Sequence, residues 1–484
     1  MEKLKRGTSK PRYRIVNEIN PEIFRGYDIR GVMGRDLNTD VYYTLGRAYA
    51  TFLSQRRIKD STVGRDNRLN GDSYAKAFIQ GLNDGGINTI DLGLSLSQIV
   101  YFSCYEFKIK GSAMITASHN PKEFNGLKLG VGYSDTMISE EIQQMRRLVE
   151  KGDFVSGLGK SIKRDIFPAY KADITRHFKL KKKWRVVVDT CNTTSGLFYP
   201  PVLRSAGCRV FAQNARLDGN FPLGVPDPTE VDVLDRLAVG VKKHGCDLGF
   251  AFDADGDRMA VVDDRGRVLW MDTIVALFVK DVLRSMPKAP IVYNNLCSRA
   301  VTETIEACGG IPVMWLTGHS FIKAKVKEAR SPFGGELSGH IFFMDNFYGH
   351  DDGAYASLRL LQFLENEGKD LSEAVDELPS YVSSPEIKFK VADNIKLHFV
   401  NTKVREEFAK HWPKGKYVDI DGIRVDTESE MAIIRASQNG PYITVKFEAK
   451  TPEQYEKVKG KLKKILKKYP EVDWSSGVNT YALD

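Results

Sequence analysis

Short apolar runs alternate with helix-like amphipathic segments along most of this chain, and this alternation constrains the fold more than any other feature. The run Arg185–Asp189 has the length and the β-branched composition of a buried strand. The segment Glu230–Lys243 then has helical periodicity, and Asp247–Phe252 again resembles a strand. Strands separated by helices form βαβ units, in which the sheet is mainly parallel. The sequence therefore predicts an α/β fold.

The pattern starts again near Trp184 and near Thr273, and its character changes beyond about residue 380. At roughly 100–200 residues per domain, the 484 residues make several domains. We expect three similar α/β domains with mixed, mainly parallel sheets, followed by an α+β domain built from short strands and two flanking helices. The predicted domains are 15–165, 166–265, 266–379 and 380–484, preceded by a mobile basic arm at 1–14.

The positive charge lies mainly at the two ends of the chain. The formal net charge is +9, and the isoelectric point is about 9.0. Residues 1–14 contain six basic residues and one acidic residue, and residues 456–468 contain seven lysines and one glutamate. The rest of the chain sums to −2. The C-terminal run reads as the solvated face of an amphipathic helix, so we expect no nucleic-acid partner.

Membrane and secretory signals are missing from the sequence. No uncharged apolar stretch approaches the roughly 20 residues of a spanning helix, and the N-terminus has no apolar core. The six cysteines are scattered without a CxxC pair, which favours reduced thiols over a zinc site or disulfides. We expect a cytoplasmic protein without a membrane partner, either a monomer or a small homo-oligomer.

The segment Thr116-Ala-Ser-His-Asn-Pro121 follows an apolar strand and continues to Lys128. A nucleophilic serine needs an exposed hydroxyl, a nearby proton acceptor and positive groups for the developing charge. Ser118, His119 and Lys128 have these chemical properties. The competing interpretation is an ordinary polar turn, in which Ser, Asn and Pro are common.

A second motif, Asp253-Ala-Asp-Gly-Asp-Arg258, directly follows the apolar strand Leu248–Phe252. Three carboxylates at alternate positions can converge on one hard cation such as Mg²⁺. Without a cation or the Arg258 guanidinium they would repel one another. A phosphatase that uses Asp253 as its nucleophile remains the enzyme alternative.

Three weaker motifs complete the set. Thr317-Gly-His-Ser-Phe-Ile-Lys323 closes a strand and opens a helix, a position that favours anions. Gly334-Gly-Glu-Leu-Ser-Gly-His340 offers Glu336 and Ser338 to adjacent hydroxyls. Arg435-Ala-Ser-Gln-Asn-Gly440 has the composition of a phosphate-binding turn. Together, and without a Walker A loop, the five motifs indicate phosphoryl transfer on a small phosphorylated polyol.

These motifs, with Tyr27-Asp-Ile-Arg-Gly31 and Val63-Gly-Arg-Asp66, occur in the order found in one known family. The chain resembles the α-D-phosphohexomutase superfamily, and within it the phosphomannomutase/phosphoglucomutase group, over about residues 24–484. The resemblance implies four domains around a central cleft. It also implies interconversion of hexose 1-phosphate and hexose 6-phosphate, with mannose and/or glucose as the sugar. By the same resemblance, a hexose 1,6-bisphosphate would serve as intermediate and activator.

The resemblance also assigns roles to individual residues. Ser118 would carry a phosphoryl group, and that phosphoserine would bind Mg²⁺ together with Asp253, Asp255 and Asp257, supported by Arg258. The sugar hydroxyls would be held by Glu336, Ser338 and His340. The phosphate that is not transferred would be held by Arg435, Ser437, Gln438 and Asn439. Further residues implied at the same site are Tyr27, Arg30, His119, Lys128, His319 and Lys323. The general acid/base remains open among Arg30, Lys128, His319 and His340.

One departure from the family pattern lies in the phosphate turn. Asn439 stands where the family usually has threonine, and Gly440 follows it. An amide donor replaces a hydroxyl donor, which can shift substrate affinity or preference. Two further alternatives therefore stay open, a phosphoglucosamine mutase and a catalytically silent homologue with a binding or regulatory role.

Overall fold

The computed structural model describes residues 13–438 and 440–483. It divides into two compact units. The first takes in the chain up to Tyr170, together with Asn192–Thr194 and Arg216–Pro226. The second consists of Lys171–Cys191, Ser195–Ala215 and the chain from Asp227 onward.

A six-stranded sheet forms the centre of the first unit. Its strands are β1 (Ile29–Val32), β2 (Asp60–Arg65), β3 (Asn88–Leu94), β4 (Gly111–Ile115), β5 (Phe124–Val131) and β6 (Ser161–Lys163). The order is β1-β5-β4-β2-β3-β6. Strands β4, β2, β3 and β6 run parallel, and β5 is antiparallel to both of its neighbours. The helices are α1 (Thr39–Gln55), α2 (Gly71–Asp84), α3 (Ser97–Phe107) and α4 (Glu140–Lys151).

A five-stranded sheet comes next along the chain. Its strands are β7 (Arg185–Asp189), β8 (Arg209–Gln213), β9 (Leu248–Phe252), β10 (Met259–Val262) and β11 (Val268–Leu269), in the order β11-β10-β9-β7-β8. Strands β9, β7 and β8 are parallel, whereas β10 is antiparallel to β9 and β11. The associated helices are α5 (Phe167–Arg176), α6 (Ser195–Ser205) and α7 (Val231–His244).

The third sheet has the order β13-β12-β14-β15. Its strands are β12 (Pro290–Asn294), β13 (Ile311–Trp315), β14 (Phe333–Gly335) and β15 (Ile341–Phe343). The first three are parallel, and β15 returns antiparallel to β14. The helices are α8 (Met271–Ser285), α9 (Arg299–Ala307), α10 (His319–Glu328), α11 (Gly353–Glu367) and α12 (Leu371–Asp376).

An antiparallel sheet dominates the remainder of the second unit. Its strands are β16 (Val382–Ser383), β17 (Ile387–Lys390), β18 (Lys416–Val418), β19 (Ile423–Asp426), β20 (Glu430–Ala436), β21 (Tyr442–Ala449) and β22 (Asp473–Val478). The order is β18-β19-β20-β21-β17-β22, and β16 also pairs with β21. Helical segments are α13 (Asp393–His398), a π-helical stretch at Phe399–Val404, α14 (Arg405–His411) and α15 (Pro452–Lys467).

The predicted fold class, three α/β domains with mixed sheets and a C-terminal α+β domain, is confirmed. The basic C-terminal run is the outer face of α15, whose Val458, Leu462, Ile465 and Leu466 side chains are buried. The helix expected at Asn401–Ala409 begins earlier, because α13, the π-helical stretch and α14 are continuous. The domain boundaries at 15–165, 166–265, 266–379 and 380–484 stay predictions.

The chain is packed from its first described residues onward. The Tyr13 ring stacks on the Tyr43 ring with 5.7 Å between centroids, and the Arg14 N–H donates to Asp40. The rest of the basic arm expected at 1–14, residues 1–12, lies outside the described residues. Within the described part of the chain, no helix has the length and apolar character needed to cross a membrane.

Candidate active site

The Ser118 loop follows β4, and its position is set by β2. These strands are parallel neighbours in which Ile115 pairs with Arg65, so their carboxyl ends meet. The Thr116 hydroxyl donates to Asp66 Oδ2 over 2.6 Å and accepts from the Ser118 N–H over 2.8 Å. Ser118 is buried, so the exposed hydroxyl expected of a nucleophile is not found here, and its φ is 50°. A residue with a side chain rarely adopts this backbone unless its surroundings enforce it.

The enforcing residue is Arg68, whose side chain is fully buried. Its guanidinium pairs with Asp66 through Nε over 3.2 Å. Its Nη2 group donates to the Ser118 carbonyl over 2.5 Å and to the Asn120 carbonyl over 2.7 Å. Nη1 donates to the Pro121 carbonyl over 2.8 Å. One planar cation therefore holds the loop on both sides of the serine.

Other predicted residues of the first unit border this loop. The Ser118 hydroxyl lies 3.1 Å from His119 Nδ1. Arg30 Nη1 donates to the Ala117 carbonyl and to Asn120 Oδ1, over 3.2 and 2.8 Å. Lys128 is buried on β5, with Nζ 3.4 Å from Ser97 Oγ, and Tyr27 is also buried. The serine thus has an imidazole nitrogen beside it and an arginine bound to its loop.

The three aspartates form the tight connection between β9 and β10. Asp253, Asp255 and Asp257 are buried, and each presents a carboxylate oxygen within 4.8 Å of the others. The Arg258 N–H donates to Asp253 Oδ1 over 3.3 Å. Gly256 has φ of +74°, which lets the turn reverse within one residue. A compact set of oxygen donors of this kind suits Mg²⁺.

The sugar-loop motif and the Thr317 motif meet where parallel strands end. Asn294, at the end of β12, accepts from the Leu337 N–H over 3.1 Å and donates to Thr317 Oγ1 over 3.2 Å. Glu336 Oε1 accepts from the Gly318 N–H over 2.7 Å, at the start of α10. Burial raises the pKa of Glu336 above its usual value. The carboxyl group is thus fixed in position before any hydroxyl binds.

His340 links this loop to the acidic loop. Its Nε2 atom accepts from Arg258 Nε over 2.9 Å, and its Nδ1 atom lies 2.7 Å from Asp351 Oδ2. The Asp257 carboxylate is 3.6 Å from Nδ1. The His319 ring stacks on the His340 ring at 5.0 Å. Asp257, His340 and Asp351 form a second group of ligand-type atoms within 4.8 Å of one another.

The phosphate turn is braced by two residues outside the motif. Arg435 Nε donates to Asp421 Oδ2 over 2.8 Å. Burial disfavours the Arg435 charge, but Asp421 outweighs this and raises the pKa of Arg435. Lys396 Nζ donates to the Ser437 carbonyl over 2.6 Å and to the Gly440 carbonyl over 2.8 Å. The turn is therefore held at both of its ends.

Most predicted residues come together within their own unit. The first unit brings together Ser118, His119 and Arg30, and the second brings together the three aspartates with Arg258, Glu336, His319 and His340. Lys323 is buried on α10, Ser338 is half-buried, Ser437 is buried and Gln438 is exposed. Asn439 lies outside the described residues.

Sequence reasoning did not assign roles to five residues that organise the site. These are Asp66, Arg68, Asp351, Asp421 and Lys396. Asp66 stood within a recognised motif, and Asp421 precedes a glycine in a turn, but neither signal indicates its partner. The other three lie in segments without a motif.

Comparison with known proteins agrees with this geometry. Residues 21–156, 168–266 and 270–381 match the models of phosphoglucomutase/phosphomannomutase alpha/beta/alpha domains I, II and III. A phosphomannomutase/phosphoglucomutase of Pseudomonas aeruginosa is 38% identical over 445 residues, covering 92% of this chain and 95% of that protein. A phosphoglucomutase of Neisseria gonorrhoeae is 34% identical and covers 94% and 99%.

A solved structure extends the similarity to three dimensions. The crystal structure of a phosphoglucomutase/phosphomannomutase family protein from Burkholderia thailandensis superimposes with a TM-score of 0.86 at 32% identity. The match covers 94% of this chain and 99% of that protein. With its serine loop and its acidic loop both intact, the chain belongs to the phosphoglucomutase/phosphomannomutase family of the α-D-phosphohexomutases.

Proposed function

We propose that this protein is a mutase that interconverts hexose 1-phosphate and hexose 6-phosphate, with mannose and/or glucose as the sugar. The observation that carries the proposal is the serine loop. Ser118 is held at positive φ by Thr116 and Arg68, with its hydroxyl 3.1 Å from His119 Nδ1. A nucleophile that donates and regains a phosphoryl group needs such a fixed hydroxyl.

The reaction would proceed in two transfers. The phosphoryl group on Ser118 passes to the free hydroxyl of the bound hexose phosphate, whose proton goes to a base of the enzyme. The product is a hexose 1,6-bisphosphate, which reorients in the site so that its other phosphate faces the serine. Ser118 Oγ then accepts that phosphoryl group, and the sugar oxygen that loses it regains a proton from the enzyme. The released sugar carries its phosphate at the other position. Arg30 and Lys128 would offset negative charge on the moving group.

The base remains to be assigned among Arg30, Lys128, His319 and His340. With Arg258 donating to Nε2, the His340 proton lies on Nδ1, which faces Asp351. His340 would accept a proton from a sugar hydroxyl at Nε2 after that hydroxyl replaces the Arg258 donor. This geometry favours His340 as a base over His340 as an acid in the first transfer.

The acidic loop would hold the metal ion. Asp253, Asp255 and Asp257 supply oxygen ligands, and Arg258 supports their loop. A bound Mg²⁺ offsets charge on the transferring phosphoryl group, where most of the catalysis of such reactions arises. That Ser118, as phosphoserine, joins this ligand set stays a prediction from the family resemblance, as does the central cleft.

Substrate recognition would rest on the two remaining loops. Glu336, Ser338 and His340 would bind the sugar hydroxyls, and the Arg435 turn with Ser437, Gln438 and Asn439 would bind the phosphate that is not transferred. Tyr27 and Lys323 would contribute further contacts. The Pseudomonas aeruginosa relative is named for both sugars, which supports dual use of mannose and glucose phosphates.

A coupled assay tests this proposal. Conversion of mannose 1-phosphate, glucose 1-phosphate and glucosamine 1-phosphate to the 6-phosphates would be measured with Mg²⁺ and a trace of glucose 1,6-bisphosphate. We expect turnover of the first two sugars, abolished by Ser118→Ala and retained by Ser73→Ala on α2. Preference for the glucosamine phosphate would indicate a phosphoglucosamine mutase. Release of inorganic phosphate would indicate a phosphatase, and no turnover would indicate a silent homologue.

A further inference from the structure

Asp421 connects the phosphate turn to the Thr317 motif through a single oxygen atom. It lies in the turn that precedes β19 and is 7% exposed. Its Oδ2 atom accepts from Arg435 Nε over 2.8 Å and from the Thr317 N–H over 3.0 Å. Its own carbonyl accepts from Asn295 Nδ2 over 2.6 Å. The buried carboxylate of Asp421 thus joins β20 to the loop that follows β13, and its backbone carbonyl contacts the loop that follows β12.

Gly422 makes this approach possible. Its φ of +83° is one that side-chain-bearing residues rarely adopt. A Cβ atom there would lie 2.5 Å from the Arg435 Cα atom, well inside van der Waals contact. The backbone of the Asp421 turn can therefore pass directly against Arg435, which brings the carboxylate to Nε.

The charge of Arg435 needs such a partner. The residue is 4% exposed, and a buried guanidinium without a counter-charge is strongly destabilising. Asp421 engages the Nε side of the planar group. The Nη1 and Nη2 groups are then the fork that would meet a phosphate, in the paired geometry that guanidinium groups favour.

We propose that Asp421 is a positioning residue for substrate phosphate, which it serves by fixing the Arg435 guanidinium relative to the Thr317 motif. This inference rests on the proposed mutase function. The Thr317 motif opens α10, which carries His319 and Lys323. Asp421 therefore sets the distance between the residues assigned to the phosphate and those assigned to the reacting end of the sugar. It does not itself touch the substrate.

The effect of losing Asp421 should fall on substrate binding. A displacement of about 1 Å in a positioned group can cost about 100-fold in rate or affinity. For Asp421→Ala we expect KM for glucose 1-phosphate to rise about 10- to 100-fold, with a smaller change in kcat. Asp421→Asn keeps an oxygen acceptor without the charge, so its KM should lie between those of the wild type and the alanine variant.

A double variant separates positioning from general damage. If Asp421 acts through Arg435, then Asp421→Ala should add little to the KM of Arg435→Ala, because the two residues form one unit. The matched control is Asp426→Asn, which weakens a similar pair with the buried Arg424 in the same sheet. That variant should lower the melting temperature and leave KM unchanged.

The experiment measures KM and kcat for each of these variants. Thermal melting gives their stability, and isothermal titration calorimetry gives their affinity for glucose 1-phosphate. Wild-type KM in Asp421→Ala, or KM effects that multiply in the double variant, would overturn the inference. If Asp421→Ala does not fold, Asp421→Asn supplies the same comparison. An inactive wild type that still binds glucose 1-phosphate would contradict the proposed function instead, and the titration would then decide the role of Asp421.

Discussion

Arg258 donates a hydrogen bond from Nε to His340 Nε2 over 2.9 Å. Because arginine is always a donor, Nε2 is unprotonated and the ring proton lies on Nδ1, 2.7 Å from Asp351 Oδ2. The ring is therefore held from both sides in one neutral tautomer. Arg258 fixes this tautomer and Asp351 accepts the Nδ1 hydrogen bond, although no motif in the sequence marks Asp351.

Asp351→Asn should impair catalysis more than stability. The asparagine amide lacks the negative charge that stabilises the imidazolium formed when His340 Nε2 accepts a proton. If His340 is the base, we expect kcat to fall about 100-fold, which is within the usual range for general acid–base groups. The coupled assay and a thermal melt measure the two effects.

The neighbouring Asp352 provides the control for this variant. It caps α11 by accepting from the Ala354 and Tyr355 N–H groups, and asparagine is also a good cap. Asp352→Asn should keep both activity and melting temperature. Equal activity of the two variants would contradict the role given to Asp351.

Arg68→Met should change the conformation of the Ser118 loop. It removes the guanidinium that pairs with the buried Asp66 carboxylate and that donates to several loop carbonyls. We expect the free energy of unfolding to fall by about 3–5 kcal/mol. Phosphate incorporation at Ser118, measured by mass spectrometry, should fall as well.

Arg65, the last residue of β2, tests whether this loss is specific. It pairs with the exposed Asp72 over 3.4 Å, and such surface pairs contribute about 0–1 kcal/mol. Arg65→Met should keep both stability and phosphate incorporation. Normal phosphorylation of Ser118 in Arg68→Met would show that the loop conformation does not depend on the Arg68 guanidinium.

Local sequence patterns predicted the strands β2, β3, β4, β7, β8, β9, β12 and β13 and helices such as α1, α2, α7 and α8. They did not predict β1, β5, β10, β14 or β15. The strand Arg185–Asp189 is found at its predicted bounds, and α15 ends at Lys467, one residue before the end of the basic run at Lys468. Helices α3 and α11 are among those that were not predicted. Their own apolar, aromatic and small residues lie on several sides of the helix, which leaves only a weak amphipathic pattern. Hydrophobic periodicity reports helices that have one buried face, and these two are buried more broadly.

The site was predictable where its residues form a contiguous motif. Ser118 and the three aspartates lie in such motifs, and their chemistry can be inferred from residue type and spacing. Arg68, Asp351 and Asp421 act on groups that are distant in the chain, Asp421 on Thr317 at a separation of 104 residues. Such partners depend on strand order and on which carboxyl ends meet, which the sequence pattern does not specify.

Lys396→Met should weaken substrate binding through the phosphate turn. The ammonium group joins the Ser437 and Gly440 carbonyls, and without it the two ends of the turn can separate. We expect KM for glucose 1-phosphate to rise about 10-fold with kcat nearly unchanged, because a displaced positioning group costs up to about 100-fold. Lys403→Met, which breaks a partly exposed pair with Glu471, should leave both constants unchanged.

Asp255→Asn should remove most of the stabilisation by Mg²⁺ and should stabilise the protein when no metal is bound. Three buried carboxylates within 4.8 Å repel one another when no cation is bound. In a chelating buffer the variant should therefore melt at a higher temperature than the wild type. Added Mg²⁺ should raise the wild-type melting temperature and have little effect on the variant. If neither chelator nor added Mg²⁺ changed the melting temperature and activity of the wild type, the metal assignment would be contradicted.

Glu448→Gln should stabilise the protein at alkaline pH. Burial raises the pKa of Glu448 above its ordinary value of 4.5, while Lys446 opposes the shift. Stability from the protonated form is complete below that ordinary value and is lost as pH rises through the raised pKa. Glutamine keeps the oxygen that accepts from the Arg299 N–H and avoids the buried charge.

Urea unfolding at pH 8 and near pH 4.5 measures this difference. The variant should need more urea than the wild type at pH 8, and the gap should shrink at the lower pH. A wild type that is at least as stable as the variant at pH 8 would show that the Glu448 carboxylate is well accommodated when charged.

The most direct test of the central claim is to find where the phosphoryl group is carried. The enzyme would be incubated with glucose 1,6-bisphosphate that carries labelled phosphates, and the labelled residue would be identified by peptide mass spectrometry. A second portion of the labelled enzyme would be chased with unlabelled glucose 1-phosphate. The account predicts label on Ser118 that moves onto the sugar within one turnover. Label on Asp253, or label released as inorganic phosphate during the chase, would contradict it.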